Sequence, residues 1–154
     1  MPCSKCLEKP NYHSFVKFGR ANNVNLFYTA PAKTEDYNRD GTKLANILLH
    51  IEEGTEQKPW IWVVDCGNMK MKHYTEVSFN SSLIKALGNN PQLQAIWIIR
   101  SNMWIRTTAT LLKATMKSEV LRRIEYIDKT GIELFDSLRK KQLDDNTIQW
   151  LLSQ

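Results

Sequence analysis

Three cysteines, six glycines and five prolines are all that this chain of 154 residues holds of the residues that build disulfide frameworks, collagenous repeats and flexible linkers. Three thiols cannot close a disulfide set, which fits a reducing, cytoplasmic setting. No apolar run approaches eighteen residues, so the pattern offers no membrane-spanning helix. Met1-Pro2-Cys3-Ser4 opens nothing like a signal peptide. Gly19 and Gly41 stand alone, which excludes both the dinucleotide fingerprint and the phosphate loop. What is present is 42% hydrophobic and 24% charged residues, the balance of one folded domain that buries roughly 70% of its unfolded surface.

The net charge of +5 is unevenly spread. Basic and acidic residues cancel up to Asp65 and nearly cancel after Ser118. Between Cys66 and Ser118 the only acid is Glu76, so the positive charge sits in the middle third. Such a field attracts phosphorylated ligands, anionic membranes, nucleic acid or acidic proteins.

Periodicity gives the elements. Val24-Asn25-Leu26-Phe27-Tyr28 is rich in β-branched and aromatic residues and reads as a strand. Leu44, Ile47, Leu48 and Ile51 form a helical stripe, with Gly54 expected as its C-terminal cap. Trp60–Asp65 and Ala95–Ile99 are short, dense apolar runs that suit strands covered on both faces. Between them Tyr74, Val77, Ile84 and Leu87 give a second stripe, stopped by Gly88-Asn89-Asn90-Pro91. Ile105, Ala109, Leu112 and Met116 mark one face of a third helix, and Arg106, Thr110, Lys113 and Lys117 another. Ile124–Ile127 is a short strand, and Thr130-Gly131-Ile132-Glu133 has the residues of a capping box. A final helix beginning near Asp144 carries Ile148, Leu151 and Leu152. Alternating strands and helices specify a single α/β domain with a largely parallel sheet flanked by helices. Four strands are clear, and the N-terminal region has room for an added edge strand.

Chemistry-bearing residues form no catalytic set. Cys3 and Cys6 have half the spacing of a zinc site, but Cys66 and the scattered His13, His50 and His73 do not complete it. Cys66 with His73 is conceivable as a thiol nucleophile and base, yet no third group orients them. Asp65, at a strand end, reads as the cap of the following turn. Trp60, Trp62 and Trp97 lie in strands and belong to the core. Trp104 differs, because it opens the basic helix, where an indole suits an interface between water, headgroups and hydrocarbon. The aromatics are otherwise too buried for nucleic-acid stacking, so nucleic acid is an unlikely partner.

The ordered segments Asn25–Ala32, Leu48–Ile51, Trp62–Met69, Leu93–Ser101, Trp104–Leu112 and Val120–Asp128 resemble the CRAL-TRIO, or Sec14-like, domain. The likeness is strongest to its divergent branch of BNIP2 and Cdc42GAP homology (BCH) domains, and it covers residues 24–140. Met103 stands where the family commonly has proline, and Thr115-Met116-Lys117 lacks the proline usual near the end of the gate helix.

The resemblance implies a compact CRAL-TRIO-like domain over residues 23–154, preceded by a partly ordered segment at 1–22. It implies non-catalytic binding of a lipid or other hydrophobic ligand, with no metal or cofactor. Trp104, Ile105, Ala109, Leu112 and Met116 would supply apolar contact, and Arg100, Arg106, Lys113 and Lys117 would meet an anionic headgroup or membrane surface. The alternative is a protein-interaction scaffold for a small GTPase, its regulator or a second copy of itself. The expected location is cytoplasmic and peripheral to membranes.

Overall fold

The computed structural model describes residue 8 and residues 14–33, 43–70, 77–88, 90–115 and 119–154. Strands β1 (Val16–Ala21), β2 (Val24–Thr29), β3 (Trp60–Asp65), β4 (Leu93–Ile99) and β5 (Ile124–Ile127) form one sheet in sequential order. β1 is antiparallel to β2, and the pairs β2–β3, β3–β4 and β4–β5 are parallel. Helices α1 (Lys43–Thr55), α2 (Val77–Leu87) and α3 (Met103–Thr115) with the short α4 (Glu119–Arg122) lie between successive parallel strands. Helices α5 (Gly131–Lys140) and α6 (Asp145–Leu152) follow β5.

A sheet that grows in one direction through right-handed crossovers puts every crossover helix on the same face. The packing obeys this. Phe27, Trp60, Trp62, Ile96 and Ile98 face Ile47 and Ile51 of α1, Leu83 and Leu87 of α2, and Val120 of α4. The alternate strand residues Leu26, Tyr28, Ile61, Val63, Trp97 and Ile99 face Leu134 and Leu138 of α5 and Ile148 and Leu151 of α6. Period-two alternation thus divides apolar strands between two cores, and Trp60, Trp62 and Trp97 are all buried.

Asn22 and Asn23, both with positive φ, form the turn of the β1–β2 hairpin. Two local expectations are corrected. Gly54 lies inside α1 rather than capping it. A Cβ there would make only ordinary van der Waals contact, with Phe15 at 3.4 Å and Phe27 at 3.6 Å, and the left-handed residues after the helix are Glu56 and Gln57. Thr130 precedes α5 in extended conformation without a side-chain cap, because the chain enters the helix through Gly131 at φ +54°. At α6 the cap forms as expected, with Asp144 accepting the Thr147 N–H at 2.7 Å.

Strand β1 is held against α6 at Gly19, where an added Cβ would lie 2.5 Å from Thr147 Cγ2 and 2.6 Å from its Oγ1. Gly19→Ala is expected to lower stability by about 2 kcal/mol through overpacking. Thr147→Ala in the same chain should restore part of that loss, and urea unfolding of the two single variants and the double variant checks the coupling.

Candidate ligand site on the third helix

All four parallel strands end at the same edge, where α/β sheets offer ligands their loops. A sequential sheet has no reversal of strand order there, so no crevice opens between strands. The concavity comes instead from α3. An open groove of about 570 Å³ is lined by Ser101, Asn102, Met103, Arg106, Thr107, Thr110, Leu111 and Asp128.

Helix α3 begins where Asn102 Oδ1 accepts the Ile105 N–H at 3.1 Å, a side-chain N-cap. Its inner face buries Ala109 and Leu112, with Ile105 packed against the core. Its remaining surface leaves Met103 70%, Trp104 51% and Leu111 61% exposed. The hydroxyls of Thr107, Thr108, Thr110 and Thr115 each donate to the carbonyl four residues earlier. Such back-bonding, with β-branched side chains, makes for a helix of modest intrinsic stability.

Ile105, Ala109 and Leu112 therefore face inward and Trp104 is exposed, and none of these four residues lines the groove. Met116 and Lys117 lie outside the described residues, as do Cys3, Cys6, His13, His73 and Tyr74. Arg106 lines the groove, pairs with Asp128 and lays its guanidinium 4.3 Å from the centre of the Tyr126 ring. Lys113 is exposed on α3. Met103, Thr107, Thr110 and Leu111 also line the groove, although the sequence marks only Thr110, on the face of Arg106, and Met103, as a departure from the family's proline. Their spacing (i, i+4, i+7, i+8) marks one helix face, a signal masked by its mixed polarity.

Arg100 is drawn away from solvent by a second arrangement at the same strand edge. Its guanidinium pairs with Asp65, which is only 3% exposed. Asp65 also accepts the Tyr28 hydroxyl at 2.6 Å and the Gly67 N–H at 2.9 Å, the latter being the expected turn cap. Burial, and then the bond donated to Asp65, push the Tyr28 phenol well above its ordinary pKa. A Cβ on Gly67 would lie 3.1 Å from both Arg100 Cδ and Asp65 Oδ1, a tight approach that these side chains would relieve only by shifting a few tenths of an ångström. Arg100 itself holds φ +51°.

Cys66 is buried, and burial with the neighbouring Asp65 charge pushes its thiol up to about 12. Such a thiol is neutral and shielded at neutral pH, the opposite of an activated nucleophile. In a Cys3→Ser/Cys6→Ser background, Cys66 is expected to resist Ellman's reagent at pH 8 until the fold is denatured. Prompt labelling of the native protein would contradict this. Among the described residues no group of three or more His, Cys, Asp or Glu could hold a metal ion.

Fold and groove together define an α/β domain with an apolar-edged site on one crossover helix. Residues 34–147, well over half of the chain, match the family model described as the CRAL/TRIO domain, and the chain belongs to that family. No curated protein matches the chain. Family membership points in general to binding of a lipid or other hydrophobic ligand. Among the described residues no helix is long and apolar enough to cross a membrane.

Proposed function

We propose that this domain binds one lipid or other hydrophobic molecule along α3 and catalyses no reaction. The observation that carries the reading is the grouping of exposed Met103, Trp104 and Leu111 on a single helix beside an open groove. Apolar side chains concentrated beside a groove are the usual mark of a ligand or interaction surface. From Arg100 to Ser118 the chain has four basic residues and no acid, which favours an anionic headgroup or membrane surface over a neutral one. Ile105, Ala109 and Leu112, on the inward face of α3, would supply apolar contacts to a ligand that reached them if α3 shifted outward. The BCH branch and a cytoplasmic setting belong to the same reading.

Trp104→Ala tests it at little cost to folding, because the indole is half exposed. Affinity for a fluorescent phosphatidylcholine is expected to fall about tenfold, with little dependence on salt. Lys113→Gln should weaken binding to anionic vesicles by an amount that shrinks at high salt. Unchanged affinity in Trp104→Ala would overturn the proposed site. A stable dimer that never takes up lipid would instead favour the self-association scaffold.

A further inference from the structure

The carboxylate of Asp128 sits on the wall of the groove and collects two donors, the Arg106 guanidinium and the Ser101 hydroxyl, the latter at 2.6 Å. Tyr126 supports the guanidinium face from beneath. The planar group is thereby held with its N–H edges available to an oxyanion, the arrangement by which arginine recognises carboxylates and phosphates. Ser101 comes from the loop after β4 and Arg106 from α3, so two separate elements converge on a carboxylate supplied by a third, the loop after β5.

We propose that Arg106 and Ser101 form an anion subsite which Asp128 fills from within the chain, and that the phosphate group of a ligand displaces it. The exchange involves no covalent step: phosphate oxygens take over the two donors, and the Asp128 carboxylate moves into water. Solvent exposure makes this feasible. Arg106 and Asp128 side chains are 45% and 49% exposed, and ion pairs at such positions are weakly held. A phosphate carries more charge and more acceptor oxygens than the carboxylate it replaces. The groove leaves space beside the pair, and Met103 and Leu111 on its wall suit an apolar chain attached to the phosphate.

Displacement also has a structural consequence. The Arg106–Asp128 pair ties the first turn of α3 to the loop after β5, and α3 is the helix with exposed apolar residues and self-bonded threonines. Occupation of the subsite by an external phosphate would release that tie. Asp128 thus acts both as competitor and as tether. This inference rests on the ligand-binding reading of α3, but its anion site is testable separately.

The test is a titration of isotopically labelled full-length protein with inorganic phosphate, with chloride at matched ionic strength as control, following the backbone resonance of Ser101 and the side-chain Nε–Hε resonance of Arg106. Both resonances are expected to move with phosphate and not with chloride. Asp128→Asn, lacking the internal anion, should bind phosphate about threefold more tightly, and Arg106→Gln should abolish the response. Ser101→Ala, a loop substitution that spares the core, should bind severalfold more weakly. An equal response to chloride would overturn the proposal. So would unchanged or weaker phosphate binding in folded Asp128→Asn; if that variant does not fold, unchanged affinity in Ser101→Ala would do so.

A second arm compares vesicles of phosphatidylcholine with and without phosphatidic acid, to distinguish a lipid phosphate from a soluble one; a response to either source supports the subsite. Binding of uncharged diacylglycerol by unaltered protein that shows no phosphate response would defeat the subsite alone. A phosphate response from protein that takes up no hydrophobic molecule of any kind would defeat the reading on which the subsite rests.

Discussion

Asp65→Ala is expected to lower folding stability by about 3 kcal/mol. The carboxylate is nearly inaccessible and holds three donors: the Tyr28 hydroxyl, the Gly67 N–H and the Arg100 guanidinium. Removing it strands a buried phenol and a loop N–H, and leaves Arg100 without its counter-charge. The side chain of Arg100 is about one-third exposed, so part of that charge rehydrates. This keeps the expected loss at the lower end of what breaking a buried pair costs. Asp65→Asn preserves the volume and one acceptor oxygen, and should cost less. Urea unfolding monitored by tryptophan fluorescence measures both. A loss below about 1 kcal/mol in Asp65→Ala would mean that the three contacts contribute little beyond what water supplies.

Trp60 should show a larger effect, with a contrast between two substitutions. It is fully buried among Phe15, Phe27 and Trp62, at ring-centroid distances of 5.7, 5.8 and 5.9 Å. Trp60→Ala is expected to cost about 4 kcal/mol in lost burial and residual cavity. Trp60→Phe retains an aromatic ring at the centre of the cluster. It also removes an indole N–H that has no acceptor among the described residues, so relief of an unsatisfied donor offsets part of the lost volume. Its expected cost is under about 2 kcal/mol. The neighbouring Trp62 donates to Thr29 Oγ1 at 2.7 Å, and Trp62→Phe should forfeit that bond. Equal losses in Trp60→Phe and Trp60→Ala would show that a ring at this position contributes nothing to the cluster, contrary to this expectation.

The contrast between Trp60 and Asp65 also explains what could be read from the chain. Trp60–Asp65 and Leu93–Ile99 announce themselves because strands covered on both faces must be apolar at nearly every position. The stripes through Ile47 and Ile51 and through Ile148 and Leu151 are legible for the corresponding helical reason, whereas in α2 the stripe is legible at Leu87 but runs through Ile84, only partly buried, and misses the buried Leu83. Strand β1 is not legible, since Lys17, Gly19 and Arg20 interrupt any alternation on an exposed edge. It is fixed by pairing with β2, by the stacking of Phe18 on Trp150 at 5.1 Å, and by the close approach of Gly19 to Thr147.

The charged contacts were hidden for a different reason. Tyr28, Asp65 and Arg100 are separated by 35 or more residues in sequence and meet because β2, β3 and β4 are adjacent with their ends level. Local pattern revealed that Asp65 would cap a turn, but not that it would also bind Arg100. Likewise the basic face of α3 was visible, whereas the pairing of Arg106 with Asp128 depends on β4 and β5 being neighbours. A cation legible in sequence thus acquires a partner only through topology. Of the cationic positions expected to attract an anion, Arg100 is committed to the fold and Arg106 is held by an exchangeable carboxylate.

The central claim is that the domain takes up a hydrophobic molecule, and native mass spectrometry of the full chain tests it most directly. The protein should be measured as purified and again after incubation with a mixed lipid extract, with organic extraction to identify whatever is bound. The account predicts a 1:1 complex whose added mass matches a lipid and which Trp104→Ala weakens. A mass that stays equal to the bare chain after repeated lipid incubation, in a correctly folded sample, would contradict it.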